Sequence, residues 1–297
     1  MVIDLSGNLC FTIENYLMAV PQNGNAKGGL IDSLTINAST FPEAAGTLTD
    51  VASTAVASTY NVARTIQASK PTSQGGVVSF LMNQVDTNGG RGLIWTKDRT
   101  AVASHFLVDT TRGLDKLLSS NTNATQASVT PGLYGVMATG TDGYMLGTYG
   151  NLNTLGRPYA SWVFKEAERF MDIVTWVGDG TANRVIPHTL GVAPGMAIVK
   201  AASGAGDWFV YHRHMSAGNP ANAHTAYAML NSTNAGATVV SQTTSLWGTV
   251  VPSDTTINVG TGGHGGTSNG TNDVGVTYVA YLFAHDIDTG GAVQCGS

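Results

Sequence analysis

The chain has 297 residues, 42% of them hydrophobic, and 14 Lys and Arg against 19 Asp and Glu, for a formal net charge of −5. That is enough apolar material for real cores, and with charged residues at only 11%, against a usual quarter or so, the balance excludes a disordered chain. The scattered basic residues form no stripe that could displace counterions from phosphates, and no apolar run approaches the length that crosses a bilayer, so neither nucleic-acid binding nor membrane insertion is expected. The missing charge is replaced by Thr, Ser, Asn and 37 Gly, the vocabulary of short strands joined by tight turns, which predicts an all-β fold.

In chain order, Met1-Val2-Ile3-Asp4 places an acidic residue where a signal peptide wants a basic one, which points to synthesis in a cytoplasm. Ile3, Leu5, Leu9, Phe11 and Ile13 occupy odd positions, as a half-buried strand requires. Asn23-Gly24-Asn25 and Lys27-Gly28-Gly29 read as a turn before Leu30-Ile31. Residues 47–68 are ambiguous, because Val51, Ala55, Val62 and Ile66 have helix-like spacing while the many Thr and Val favour strands. Val77 to Met82 predicts a buried strand, and Thr87-Asn88-Gly89-Gly90 a boundary. Cys10 and Cys295 cannot make a disulfide framework or a complete zinc site, and read as small buried apolar residues.

Beyond that boundary the chain repeats itself. Gly92-Leu93-Ile94-Trp95-Thr96-Lys97, eight spacers, then Phe106-Leu107-Val108-Asp109 reappears as Gly195-Met196-Ala197-Ile198-Val199-Lys200, eight spacers, then Phe209-Val210-Tyr211-His212. Leu118-Ser119-Ser120 and Thr122-Asn123-Ala124 match Leu230-Asn231-Ser232 and Thr233-Asn234-Ala235; Tyr144-Met145-Leu146-Gly147 answers Ile257-Asn258-Val259-Gly260. Each copy closes on an apolar run, Tyr159 to Phe164 or Tyr278 to Phe283, and between the copies Phe170 to Val177 predicts a strand turned by Gly178-Asp179-Gly180. The expected architecture is a mixed, mostly β N-terminal attachment region over 1–90, a β-sandwich repeat over 91–169, a second over 170–291, and the start of a further module over 292–297. Val293-Gln294-Cys295 stands where Ile173-Val174-Thr175 stands in the second copy, which suggests that the natural product continues.

The block Ile173 to Gly180, then Ile186-Pro187-His188-Thr189-Leu190-Gly191-Val192-Ala193-Pro194-Gly195, the Asp207 to His212 strand and the closing Tyr278 to Ala284 resemble a repeated β-rich module of tailed-bacteriophage tail fibres and virion structural proteins, familiar in phages of cyanobacteria and aquatic bacteria. The resemblance is good over 170–286, weaker over 90–168 and absent before. It implies lectin-like or jelly-roll-like sandwich modules, a place in the virion after synthesis in the host cytoplasm, a homotrimer, attachment to tail or baseplate proteins through residues 1–90, and a role in host attachment. A head-decorating fibre and a carbohydrate-binding receptor module that takes a host-surface glycan are the alternatives.

Chemistry-bearing motifs fail on context, and neither enzyme activity nor a cofactor is expected. Gly260-Thr261-Gly262-Gly263-His264-Gly265 fits a dinucleotide pattern and Gly266-Thr267-Ser268-Asn269-Gly270 a nucleophile elbow, but no helix follows either. Glu166 and Glu168 are the nearest acid pair, two steps apart on an extended chain and flanked by Lys165 and Arg169, which reads as a solvated linker. His212 and His214 are the metal candidates, since residues two apart on a strand point the same way. Sugar binding calls for exposed aromatic faces, for which Trp176, Trp208, Tyr211, Trp247 and Tyr149 are available. Trp208 and Tyr211 are expected to divide between core and surface by parity, and Trp247, in a polar loop, to be the most exposed.

Overall fold

A computed structural model describes four strand backbones in the first 90 residues and nearly all of the chain from residue 91 to 285, with Cys295; the rest of 1–90 and residues 132, 141–142, 155–156, 158, 217–219, 234–236, 239–245, 263–269, 286–294 and 296–297 lie outside the description. The chain is all-β, with one 3-10 helix, Pro220–Thr225, among the described residues. Strands β1 (Val2–Ile3) and β2 (Leu9–Cys10) pair antiparallel, and β3 (Arg64–Ser69) pairs antiparallel with β4 (Val77–Met82). The ambiguous stretch at 47–68 therefore ends in a strand; residues 47–63 and Leu30-Ile31 lie outside the description.

A first large sheet holds β5 (Gly92–Asp98), β6 (His105–Asp109), β7 (Lys116–Ser119), β8 (Ala127–Ser128) and β11 (Tyr159–Lys165), in the order β11-β5-β6-β7-β8. A second holds β12 (Met171–Val177), β14 (Pro194–Ala201), β15 (Trp208–His212), β16 (Ala226–Met229), β17 (Ala237–Thr238) and β19 (Thr277–Ala284), in the order β12-β19-β14-β15-β16-β17. Apart from β12, the order is the same in both. Two smaller sheets cap them: β3-β4-β10-β9, with β9 (Val136–Thr139) and β10 (Gly143–Leu146), and β13 (Arg184–Pro187) paired with β18 (Thr256–Val259). The echoes at 92–97 and 195–200, 106–109 and 209–212, 144–146 and 257–259, and 159–164 and 278–283 fall on strands in equivalent places.

Strand parity explains why both large sheets are apolar on both faces. On β19, Tyr278, Ala280, Leu282 and Ala284 point into a core shared with Ile186, Ile257, Val259, Leu246 and Trp247, while Val279, Tyr281 and Phe283 point the other way. On β5 and β6, Ile94, Phe106 and Val108 join Val136, Tyr144 and Leu146 of the first cap, and Leu93 and Leu107 face the second sheet. The two large sheets thus meet through a middle core of Leu93, Leu107 and Leu118 against Met171, Ile173, Ile198, Trp208, Val279, Tyr281 and Phe283. Phe164 and Phe283, which close the two copies at matching positions, touch edge to face with centroids 5.7 Å apart. Each such large side chain fully removed from water contributes roughly 1.5–3 kcal/mol.

Candidate functional site

The most organised polar chemistry lies in the middle layer, between the two large sheets. The turn after β6 forms because Asp109 Oδ1 accepts the backbone N–H of Arg112, at 2.8 Å, and this folds the Arg112 side chain back over its own strand. The guanidinium then donates to Asp109 Oδ2 (2.6 Å), Gln126 Oε1 (3.1 Å) and the Tyr281 hydroxyl (3.2 Å), and that hydroxyl donates to the same Asp109 oxygen at 2.8 Å. The Asp109 side chain is inaccessible to solvent and Arg112 nearly so. Burial holds the Tyr281 phenol well above its ordinary pKa, with Asp109 adding to the shift and Arg112 opposing it. A buried charge pair is thereby closed by a hydroxyl from the opposite sheet.

Loops lock the same seam. Gln126 N–H donates to Ala202 O and Gly206 N–H to Asn123 O, both at 2.9 Å, and the Trp208 indole N–H is shared between Ser119 O and Thr122 O at 2.9 and 3.1 Å. Lys200 is fully buried; its ammonium donates to Ala201 O at 2.6 Å, and burial brings its pKa down to about 8, with Arg112 adding to the shift and Asp207 opposing it. Its echo Lys97 likewise donates to the following carbonyl, Asp98 O, at 2.5 Å.

The aromatic residues expected to meet sugars are core. Trp176 stacks on Tyr278 at 5.4 Å and gives its N–H to Thr271 O; Trp208 stacks on Tyr281 at 6.5 Å. Tyr211 and Trp247 meet edge to face at 5.9 Å, and Trp247 donates to Ala226 O. All four are buried, so their faces are not available to a ligand. The expectation for Trp247 fails because the turn carrying it folds over the second sheet, and Trp208 and Tyr211 divide between two cores rather than core and surface. Tyr149 is half-buried against Phe106.

His212 and His214 do not share a strand face, since β15 ends at His212 and the chain turns at Arg213. The His212 ring accepts the His214 backbone N–H through Nδ1 at 3.2 Å, and the two rings are tilted, 6.2 Å apart. Among the described residues no group of three His, Cys, Asp or Glu side chains converges where a metal could sit. Glu166 pairs not with Glu168 but, through Arg91, with Asp172. Burial raises the Glu166 pKa, with Asp172 adding to the shift and Arg91 opposing it, while Thr189 donates twice to Asp172. Cys295 is a buried free thiol whose Sγ lies 3.4 Å from Ala284 O. Residues 263–269, the centre of the glycine-rich motifs, lie outside the description, as does the side chain of Cys10.

The half-exposed aromatic cluster is one that sequence reasoning passed over. Trp95, His105 and Trp162 are partly exposed and meet with centroids 6.0–6.4 Å apart, the Trp95 indole donating to His105 Nδ1 at 3.0 Å. Burial, with Lys97 nearby, lowers the His105 pKa. The repeat held the signal that could have found it: these positions echo Ile198, Trp208 and Tyr281, which the seam covers.

One family model, described as a domain of unknown function (DUF7483), matches residues 82–290. No curated protein and no solved structure matches the chain.

Proposed function

The chain belongs to that family, Domain of unknown function (DUF7483), and from this premise we propose that it is a virion structural protein of a tailed bacteriophage, the particle-proximal part of a tail fibre that contributes to host attachment. The observation that carries the structural part of this reading is the seam. Two large sheets of the same strand order are mated through one apolar core, with a buried Asp109–Arg112–Tyr281 network and loop hydrogen bonds fixing their relative orientation. A block held in one orientation in this way would suit a segment of a fibre. The virion part rests on the residues of 170–286 that resemble phage modules. In this reading the two halves are tandem copies, residues 1–90 dock on tail or baseplate proteins, and the assembly is a homotrimer.

The test is cryo-electron microscopy of purified particles from the phage that encodes the chain, with cross-linking mass spectrometry to place residues 1–90. Density for the chain at the tail, with cross-links from 1–90 to tail proteins, is the expected result. Density on the head lattice would move it to a head fibre, and absence from particles would end the virion reading. A second reading, a carbohydrate-binding module, draws on the partly exposed Trp95 and His105 rings; a glycan array with wild type and Trp95→Ala tests it.

A further inference from the structure

Strand β13 is four residues long and, among the described residues, pairs with β18 alone, no strand pairing along its other edge. The corresponding pair in the first half, β4 and β10, does not end there. β3 runs antiparallel along β4 over six residue pairs, from Arg64↔Met82 to Ser69↔Val77. The registers make the correspondence specific. Ile186↔Ile257 and Val185↔Asn258 match Leu81↔Tyr144 and Phe80↔Met145, and Phe80 is the residue that Ile66 of β3 faces. The edge left open by β13 is therefore one that this chain closes with a strand of its own elsewhere.

A second observation falls at the same place. Of the seven large hydrophobic residues most exposed among those described, four surround β13: Val185 at 54%, Val177 at 56%, Val250 at 51% and Val274 at 76%. Contacts join them into one area. Arg184 of β13 donates to Val177 O, Gly180 lies against the Val274 methyl group, and Asn183 Oδ1 accepts the N–H of Thr249, the neighbour of Val250. Unpaired strand N–H and C=O groups beside apolar side chains are the combination that templates pairing with another strand. The edge is also blunted in a recognisable way, since Pro187 lacks an N–H and leaves Val185 as the residue of β13 whose N–H faces it.

We propose that the open edge of β13, with its rim of valines, is a self-association surface that takes an extended segment of a second copy of this chain as an added strand. A second copy fits because β3 shows that a strand of this chain closes the equivalent edge, and because little charge opposes it. The one charged residue of β13 is Arg184, and it is already paired with Asp179 at 3.4 Å. So short a strand gives a small contact, which places association in the micromolar range.

The test uses the purified full chain in sedimentation velocity, from about 1 to about 100 µM. Wild type is expected to associate with rising concentration, and Val185→Lys, a change at an exposed position, to weaken association by about tenfold or more. Val102→Lys, the same charge on an exposed valine of the β5–β6 turn, leaves it unaltered. Hydrogen exchange on wild type gives a readout that needs no variant: the amide of Val185, which alternation turns away from β18, slows as concentration rises. A wild type that sediments as one unchanging species throughout overturns the proposal, as does association to which Val185→Lys is indifferent or exchange at Val185 that ignores concentration. A homotrimer formed elsewhere on the chain would hold at every concentration, so these outcomes are distinguishable from those of the particle experiment.

Discussion

Lys200 shows what burial does to a single charge. Its folded pKa, about 8, lies below the ordinary lysine value, so the cost of its buried ammonium is present in full below pH 8 and fades as pH rises toward that value. Stability should therefore climb between about pH 8 and about pH 10.5, by as much as about 3 kcal/mol once the amine is neutral in both states. Lys200→Met should abolish that slope in urea titrations at several pH values; a slope that survives the substitution would locate the titration elsewhere. Asp109, Arg112 and Tyr281 respond differently because each depends on the others. Removing only the hydroxyl in Tyr281→Phe is expected to cost about 1–2 kcal/mol, whereas Arg112→Met strands a buried carboxylate and costs roughly 3–5 kcal/mol. A double variant that loses the sum of both would show that the hydroxyl and the guanidinium are not coupled.

At the scale of elements, close approach decides what the turns tolerate. A Cβ at Gly178, the turn after β12, would lie 2.0 Å from the carbonyl oxygen of Asp273, a backbone atom that cannot rotate away. Gly178→Ala should cost about 1–3 kcal/mol in denaturant titrations, and a neutral result would mean that the 271–276 turn yields freely. Trp247→Ala opens a cavity under the cap of the second sheet and is expected to cost about 3–5 kcal/mol. The strand pattern of these elements was readable: Val77 to Met82, Tyr159 to Phe164 and Phe170 to Val177 lie on β4, β11 and β12 within a residue or two. The faces were not. Alternation separates two sides of a strand but says nothing about whether the second side meets water or another sheet, and for Trp208 and Tyr211 it met two cores.

For the whole molecule, the middle core predicts one cooperative unit. The faces of the two large sheets cannot separate without exposing Leu107, Trp208 and Tyr281 and breaking the Asp109 network. Far-ultraviolet circular dichroism and tryptophan fluorescence should then report coincident urea transitions for residues 91–285. Two separated transitions would mean that each half stands on its own cap and that the seam contributes little.

The sequence by itself determined the all-β class, through turn-rich composition and alternating apolar positions, and the internal echo, because equal spacing of equal residues survives without any knowledge of contacts. Tertiary structure alone decided which aromatic rings are buried, that Glu166 answers Asp172 rather than Glu168, and that His212 and His214 part at a turn. It also decided that Asp109 and Tyr281, 172 positions apart, share a proton-bearing contact. The physical reason is one of range: periodicity and turn chemistry act between neighbours along the chain, whereas burial and pairing are set when one sheet is laid on another, and no local pattern records which face will be covered.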